Sequence, residues 1–64
     1  MIVIMDFGTK LRLLREGHQL KQINLANALS VSPQAVSKWE RGAKLPDLVI
    51  LRRIAKLFDV SIDH

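Results

Sequence analysis

Three polar side chains that can hydrogen-bond to nucleic-acid bases, Gln34, Ser37 and Lys38, stand close together in the chain. In the major groove, glutamine pairs with adenine through N6 and N7, lysine donates to guanine O6 or N7, and serine accommodates either base. On a helix, Val36 and Trp39 would turn inward and leave these polar side chains outside. Two alternatives stay open: an ordinary solvated face for the polar residues, and stacking on a base for Trp39. The inward spacing favours core packing for Trp39.

The helix that carries this face is predicted to run from Pro33 to about Glu40 or Arg41. Proline is tolerated at the first helical position, and Ser32 before it is a favourable N-cap. Gly42 follows at once and is a common helix stop. The first turn of such a helix presents free backbone N–H groups and a partial positive charge, which suit a phosphate.

A shorter helix is predicted just before it, over Gln22–Leu29. Leu25, Ala26 and Leu29 lie on one face of this helix, and the small Ala26 allows close approach of a crossing helix. Val31 then fills the corner between the two helices. Two short helices joined by three or four residues form a helix-turn-helix.

Two further helices complete the predicted body. Asp6 caps the first, which runs to about His18, and Asp47 caps the fourth, which runs to about Phe58. The first carries an apolar stripe of Phe7, Leu11 and Leu14, and the buried side of the fourth is Leu48, Leu51, Ile54, Ala55 and Phe58. Ser61 would cap a fifth helix, truncated at the C-terminus. The fold class is therefore all-α, a compact bundle of four to five short helices around one core.

The chain is divided into an apolar leader, residues 1–5, and a helix-turn-helix domain, residues 6–64. The leader is interpreted as an extended segment, with an edge strand that pairs between subunits as the alternative. No apolar run approaches the roughly 20 residues of a membrane span.

The composition favours some classes of function and argues against others. Ten Lys and Arg residues against six Asp and Glu give a net charge of +4, which favours polyanionic partners. The chain has no cysteine, and its two histidines, His18 and His64, stand far apart, so no metal site is expected. No nucleophile–base pair or glycine-rich phosphate loop is present in the sequence, so neither an enzyme nor a cofactor is expected.

Several short motifs occur in a fixed order and spacing. They are Leu-Arg-Glu at 14–16, Leu-Lys-Gln at 20–22, Leu-Ala at 25–26, Leu-Ser-Val-Ser at 29–32, Val-Ser-Lys-Trp-Glu-Arg-Gly at 36–42, Leu-Pro-Asp at 45–47 and Phe-Asp-Val-Ser-Ile-Asp at 58–63. Together they resemble the Cro/cI-type (XRE) helix-turn-helix domain, which has the lambda-repressor-like fold, from about residue 7 to residue 62.

The resemblance implies a role for each matching residue. Base reading falls to Gln34 and Lys38, with Ser37 beside them. Arg15 and Glu40 match a partly buried ion pair with a structural role, and breaking one side of such a pair is costly. Contacts to the DNA backbone are implied for Gln22, Ser32, Pro33, Arg41 and Lys44, although Pro33 replaces a polar residue and loses one contact.

The chain departs from the family pattern at three helix ends. Ser30 stands where glycine is usual in the turn, and a left-handed serine is slightly strained. Gln19 stands where glycine usually ends the first helix. Lys21 replaces the Ser or Thr that usually caps the second.

Four apolar residues, Ile23, Val49, Ile50 and Ile62, are predicted to form a dimer or partner surface, with scattered apolar surface as the alternative.

The predicted function is a bacterial or phage transcriptional regulator, a repressor, located in the cytoplasm on the nucleoid. Two copies would bind a palindromic double-stranded operator with recognition helices ~34 Å apart. The alternative is an antitoxin that neutralises a partner toxin and regulates its own promoter.

Overall fold

A computed structural model describes residues 6–59 as four α-helices. They are α1 (Phe7–Gly17), α2 (Gln22–Leu29), α3 (Pro33–Glu40) and α4 (Leu48–Phe58). No strand occurs within residues 6–59, so the all-α prediction is confirmed. The leader and the fifth helix, including Ile62, lie outside the described residues.

Three of the four helices begin at a side-chain cap. The carboxylates of Asp6 and Asp47 and the hydroxyl of Ser32 each accept a hydrogen bond from the backbone N–H three residues later, at 2.8, 2.9 and 3.1 Å. Each cap satisfies a backbone N–H that has no partner within its helix. The predicted starts of α1, α3 and α4 are therefore confirmed.

The start of α2 is different. The Lys21 ammonium has no lone pair to accept a hydrogen bond, so it cannot cap the helix. Instead, the Lys21 backbone N–H donates to Asn24 Oδ1 at 2.9 Å. This bond orders the entry to α2 but leaves the first N–H groups of the helix without a side-chain acceptor.

Three of the four described helices, α1, α2 and α4, are followed by a left-handed residue that is not glycine. Gln19 has φ 59° and Ser30 has φ 58°, at the two positions where glycine is usual. Asp59, which follows α4, has φ 54°. This conformation costs a residue with a Cβ roughly 1–2 kcal/mol. By contrast, α3 is followed by Gly42 at φ 75°, where no such penalty arises.

The core lies between all four helices and includes Leu11, Leu25, Ala26, Leu29, Val36, Trp39, Ile54 and Phe58. Trp39 is only 5% exposed, so it packs in the core and is not free to stack on a base. Val31 is half-buried and packs against this cluster at the corner after α2.

The predicted buried side of α4 is wrong at Leu48, and Leu51 is only half-buried. Leu48 is 57% exposed, because the buried positions of α4 (Ile54, Ala55 and Phe58) all lie in its second half. In the first turn of α4 only Ile50 packs against the core cluster, and it is half-buried and therefore still partly exposed.

The beginning of α1 crosses the end of α3 in direct backbone contact. A Cβ added at Gly8 would lie 2.5 Å from the carbonyl oxygens of both Trp39 and Glu40, well inside van der Waals contact. Only glycine allows this approach, so Gly8 sets how closely α1 supports α3. The sequence analysis assigned no role to Gly8.

Candidate nucleic-acid interface

The outer face of α3 carries two of the three predicted base-reading residues. Gln34 and Lys38 are exposed and four residues apart, which places them on one side of the helix. On the opposite side, Val36 is fully buried and Trp39 nearly so. The buried face anchors α3, and the amide and the ammonium project from a helix whose outer side is open.

Ser37 is partly covered and has a protein partner. It is half-buried, and its Oγ accepts a hydrogen bond from Arg41 Nε at 3.3 Å. The Arg41 guanidinium therefore lies back along α3 toward the polar face. The Ser37 hydroxyl keeps its own hydrogen for a further bond.

The segment after α3 returns toward this same face. Beyond Glu40 the chain turns at Gly42, and the Ala43 N–H donates to the Lys38 carbonyl at 2.9 Å. An open groove follows between α3 and the start of α4, lined among others by Gln34, Lys38 and Lys44. Two ammonium groups and an amide border this groove together with the Asp47 carboxylate, which caps α4, so the lining carries one net positive charge.

At the start of α2, Gln22 is held by the end of α3. Gln22 Nε2 donates to Glu40 Oε1 at 3.1 Å, which commits one amide hydrogen and leaves the other free. The uncapped N–H groups of α2 lie beside it. Free N–H groups at a helix start attract anions, so the predicted phosphate role of Gln22 has a suitable setting.

Glu40 is the centre of a nearly buried network. Arg15 Nε donates to Glu40 Oε2 at 2.6 Å and Arg15 Nη2 to Oε1 at 3.1 Å, a bidentate pair whose side chains are 11% and 4% exposed. Arg15 Nη1 also donates to the Leu20 carbonyl at 2.9 Å. Because the Arg15 guanidinium donates hydrogen bonds to the Glu40 carboxylate, the pKa of Arg15 is raised above its ordinary value. The network joins α1, the start of α2 and the end of α3.

The other backbone-contact residues surround α3. Ser32, Arg41 and Lys44 are exposed, and Pro33 is half-buried at the helix start. The Ser32 oxygen already accepts from the Ala35 N–H, so its remaining hydroxyl hydrogen is the group that could meet a phosphate. Of the predicted partner-surface residues, Ile23 is exposed on α2, while Val49 is exposed and Ile50 half-buried on α4.

Residues 6–59 contain neither a group of metal-binding side chains nor a helix that could span a membrane. Within this range no three His, Cys, Asp or Glu side chains come together in a group that could hold a metal ion. None of the four described helices combines the length and the apolar character that crossing a bilayer requires.

Comparison with known proteins identifies the family. A family model described as a helix-turn-helix matches residues 11–64. The chain belongs to the Cro/cI-type (XRE) helix-turn-helix family. As a member of this family it is a DNA-binding domain of the transcription-regulator type.

Members of the family from several organisms are similar to the chain. The HTH-type transcriptional activator BcrR of Enterococcus faecalis is 48% identical over 60 residues, which cover 94% of this chain and 29% of that protein. The uncharacterized regulator YqaE of Bacillus subtilis is 33% identical over 58 residues, 91% of this chain and 50% of that protein. The uncharacterized regulator MJ0272 of Methanocaldococcus jannaschii is 41% identical over 54 residues, 84% of this chain and 82% of that protein.

The chain thus spans half or less of the first two relatives. No solved structure matches it significantly.

Two features of this helix-turn-helix domain escaped the sequence analysis. One is the backbone contact at Gly8. A glycine in the first turn of a helix that otherwise has good helix formers is a signal for close approach, and that signal could have been used. The other is the exposure of Leu48 next to Leu45, for which periodicity gives no signal because the first turn of a helix need not face the core.

Proposed function

We propose that this helix-turn-helix domain binds a specific double-stranded DNA sequence with α3 in the major groove, as the DNA-reading part of a transcriptional repressor. The observation that carries the proposal is the division of α3 into a buried face, Val36 and Trp39, and an open face, Gln34 and Lys38. Gln34 and Lys38 read bases, and Ser37 adds a contact through its free hydroxyl hydrogen.

Contacts to the DNA backbone come from Gln22 with the uncapped start of α2 and from Ser32, Arg41 and Lys44, while Pro33 lies among them without a hydrogen-bond donor. These contacts orient the helix and supply affinity without sequence preference. Because Arg41 and Lys44 displace counterions, binding weakens steeply as salt increases. The net charge of +4 acts in the same direction.

Two copies bind a palindromic operator with their α3 helices about one turn of DNA apart, ~34 Å. Occupancy of such an operator on the nucleoid in the cytoplasm blocks transcription, as expected of a repressor. Activation, which the name of BcrR states for that relative, is the competing outcome. A reporter fused to the bound promoter distinguishes the two, since repression requires that expression rise when the gene for this chain is deleted.

A second candidate function is an antitoxin that neutralises a partner toxin and regulates its own promoter. The exposure of Ile23, 47%, and Val49, 59%, favours a protein partner of this kind. Gel filtration with the product of an adjacent gene tests it, because a complex that leaves a partner toxin inactive would support it. Absence of any complex would exclude it for that gene product.

The proposal is tested by selecting bound duplexes from random DNA and titrating variants on the selected and on a scrambled duplex. We expect Lys38→Ala to reduce discrimination between the two duplexes by roughly tenfold, within the 1–3 kcal/mol of one good base contact. Gln22→Ala should weaken both duplexes by similar factors. Lys56→Ala, which removes an exposed cation on α4, is the charge-matched control. Equal losses on both duplexes for Lys38→Ala, or affinity that does not depend on salt, would overturn the assignment.

A further inference from the structure

Among the four described helices, α3 alone begins with proline. Pro33 follows the Ser32 cap directly and is half-buried, so part of its ring is open to solvent. It lies one turn before Ser37, at the edge of the outer face that Gln34 and Lys38 share. The ring carries only C–H groups, because it takes the place of the backbone hydrogen.

The start of α3 has few donors to offer to a phosphate. The Pro33 nitrogen has no hydrogen, and the Ala35 N–H already donates to Ser32 Oγ at 3.1 Å. Two of the first three backbone positions of α3 therefore have no free donor. At the start of α2, in contrast, no side chain caps the first N–H groups. The start of α2 suits an anion, whereas the start of α3 presents an apolar surface.

An apolar surface at this place can select among bases. When a recognition helix lies in the major groove, its N-terminal residues contact the base edges. Thymine alone among the four bases carries an apolar group on that edge, its C5-methyl. A donor or acceptor of another base that faces Pro33 would lose water without gaining a hydrogen bond, which is costly. A methyl group has no such bond to lose and is stabilised by leaving water.

We propose that the Pro33 ring packs on the C5-methyl of a thymine, in the base pair next to the one that Gln34 reads, and so determines part of the sequence preference. This rests on the proposed function. Neighbouring Cα atoms are about 3.8 Å apart and successive base pairs about 3.4 Å, so adjacent side chains match adjacent base pairs. The family resemblance implied a contact of Pro33 with the DNA backbone, but a ring without a donor fits a methyl group better than a phosphate.

The test removes the methyl group and nothing else. In the half-site selected from random DNA, each thymine is replaced in turn by deoxyuridine, which keeps the base pair and its hydrogen-bonding groups but lacks the C5-methyl. We expect one replacement to weaken binding of the wild-type chain about fourfold, equivalent to about 0.8 kcal/mol for one methyl-sized group. This thymine should adjoin the base pair at which Gln34→Ala loses its preference.

A variant assigns the effect to the ring. Pro33→Ala removes the ring at a position where alanine is readily helical, and circular dichroism verifies that the variant is folded. Its affinities for the thymine duplex and the uracil duplex should be nearly equal. Pro46→Ala is the matched control, because Pro46 is the other proline of the chain and is also half-buried. This control should keep the full difference between the two duplexes.

A second probe restores the methyl group on another base. Cytosine at the same position has no methyl group, whereas 5-methylcytosine carries one at the same C5 atom. For the wild-type chain, 5-methylcytosine should bind about fourfold tighter than cytosine, the same effect of one methyl-sized group. For Pro33→Ala the two duplexes should again be nearly equal.

The outcomes distinguish this inference from the proposed function. If the wild-type chain binds no duplex specifically, the proposed function is wrong and the inference fails with it. If it binds specifically but tolerates every uracil, or if the selected half-site has no thymine at that position, only the role of Pro33 is overturned. A uracil effect that Pro33→Ala retains in full would also overturn this role, because another residue would then contact the methyl group.

Discussion

The two ends of α3 are held in place by different means. At its start, Ser32 caps the helix, Ser30 turns the chain in a left-handed conformation and Val31 fills the corner, all within a few residues. At its end, Glu40 is bound by Arg15 from 25 residues away, and the Glu40 carbonyl lies against Gly8.

Local contacts therefore hold the start of α3, and tertiary contacts hold its end. The start of α3 is specified by neighbouring residues and is exposed, so each contact there contributes little on its own. The end of α3 is nearly buried, and its contacts join three helices. Changes at the end should therefore reduce stability more than changes at the start.

The largest loss is expected from Glu40→Leu. This change leaves the Arg15 guanidinium, 11% exposed, without its carboxylate, and breaking one side of a buried pair costs about 3–5 kcal/mol. The free energy of unfolding, from urea titration followed by circular dichroism, measures the loss. Arg15→Met combined with Glu40→Leu removes both charges and should recover most of it. A single variant as stable as the wild-type chain would show that the pair contributes nothing.

Gly8→Ala should rank second. The added Cβ meets two backbone carbonyl oxygens, which cannot move without shifting the end of α3, and overpacking of this kind costs about 1–3 kcal/mol. Each kcal/mol lowers Tm by roughly 4–8 °C in a domain of this size. Gly17→Ala is the matched control, because a Cβ there meets nothing within 4 Å. Equal Tm values for the two variants would contradict the backbone contact.

At the start of α3, Ser32→Ala should cost about 1 kcal/mol, the usual value for loss of a side-chain N-cap. The Ala35 N–H loses its acceptor, and water replaces the hydroxyl because the site is exposed. Urea titration measures this loss, and Ser32→Asp, which restores an acceptor, should recover it. A loss as large as that of Glu40→Leu would remove the difference between the two ends.

Ser30→Gly should change stability in the opposite direction. The left-handed conformation costs serine roughly 1–2 kcal/mol, a cost that glycine does not have. The greater freedom of glycine in the unfolded chain offsets about 0.5–1 kcal/mol of this stabilisation. A net increase in Tm of a few degrees is expected in thermal unfolding. A decrease would mean that the turn at the start of α3 is not strained.

The smallest expected effect is a pH dependence of stability at Asp6, which caps α1, the helix that packs against the end of α3. The hydrogen bond from the Thr9 backbone N–H lowers the pKa of the Asp6 carboxyl below 3.8 in the folded chain. The ionised Asp6 cap therefore stabilises the folded chain fully above pH 3.8, and this stabilisation is lost as the pH falls through the folded pKa. Asp6→Asn keeps an acceptor that does not titrate, so its Tm should fall less than that of the wild-type chain between about pH 5 and pH 2. Parallel Tm curves would contradict this prediction.

Much of the fold could be read from the sequence because its determinants are local. The caps Asp6, Ser32 and Asp47 and the stop at Gly42 each act within one turn, and the spacing of Val36 and Trp39 alone turns α3 toward the core. The outer positions of Gln34 and Lys38 follow from the same spacing. Residues opposite the buried face of a helix are exposed to solvent, so these polar side chains must lie on the outside.

Long-range contacts decided the rest. Nothing near Gly8 in the sequence shows that a carbonyl of residue 40 lies against it, and nothing near Gln22 shows that its amide binds Glu40. Leu48 fits the apolar period of α4 yet is exposed, because in the first turn of that helix the core reaches Ile50 but not Leu48. Periodicity states which side of a helix is apolar, but only the packing of other helices determines how far along that side the core extends.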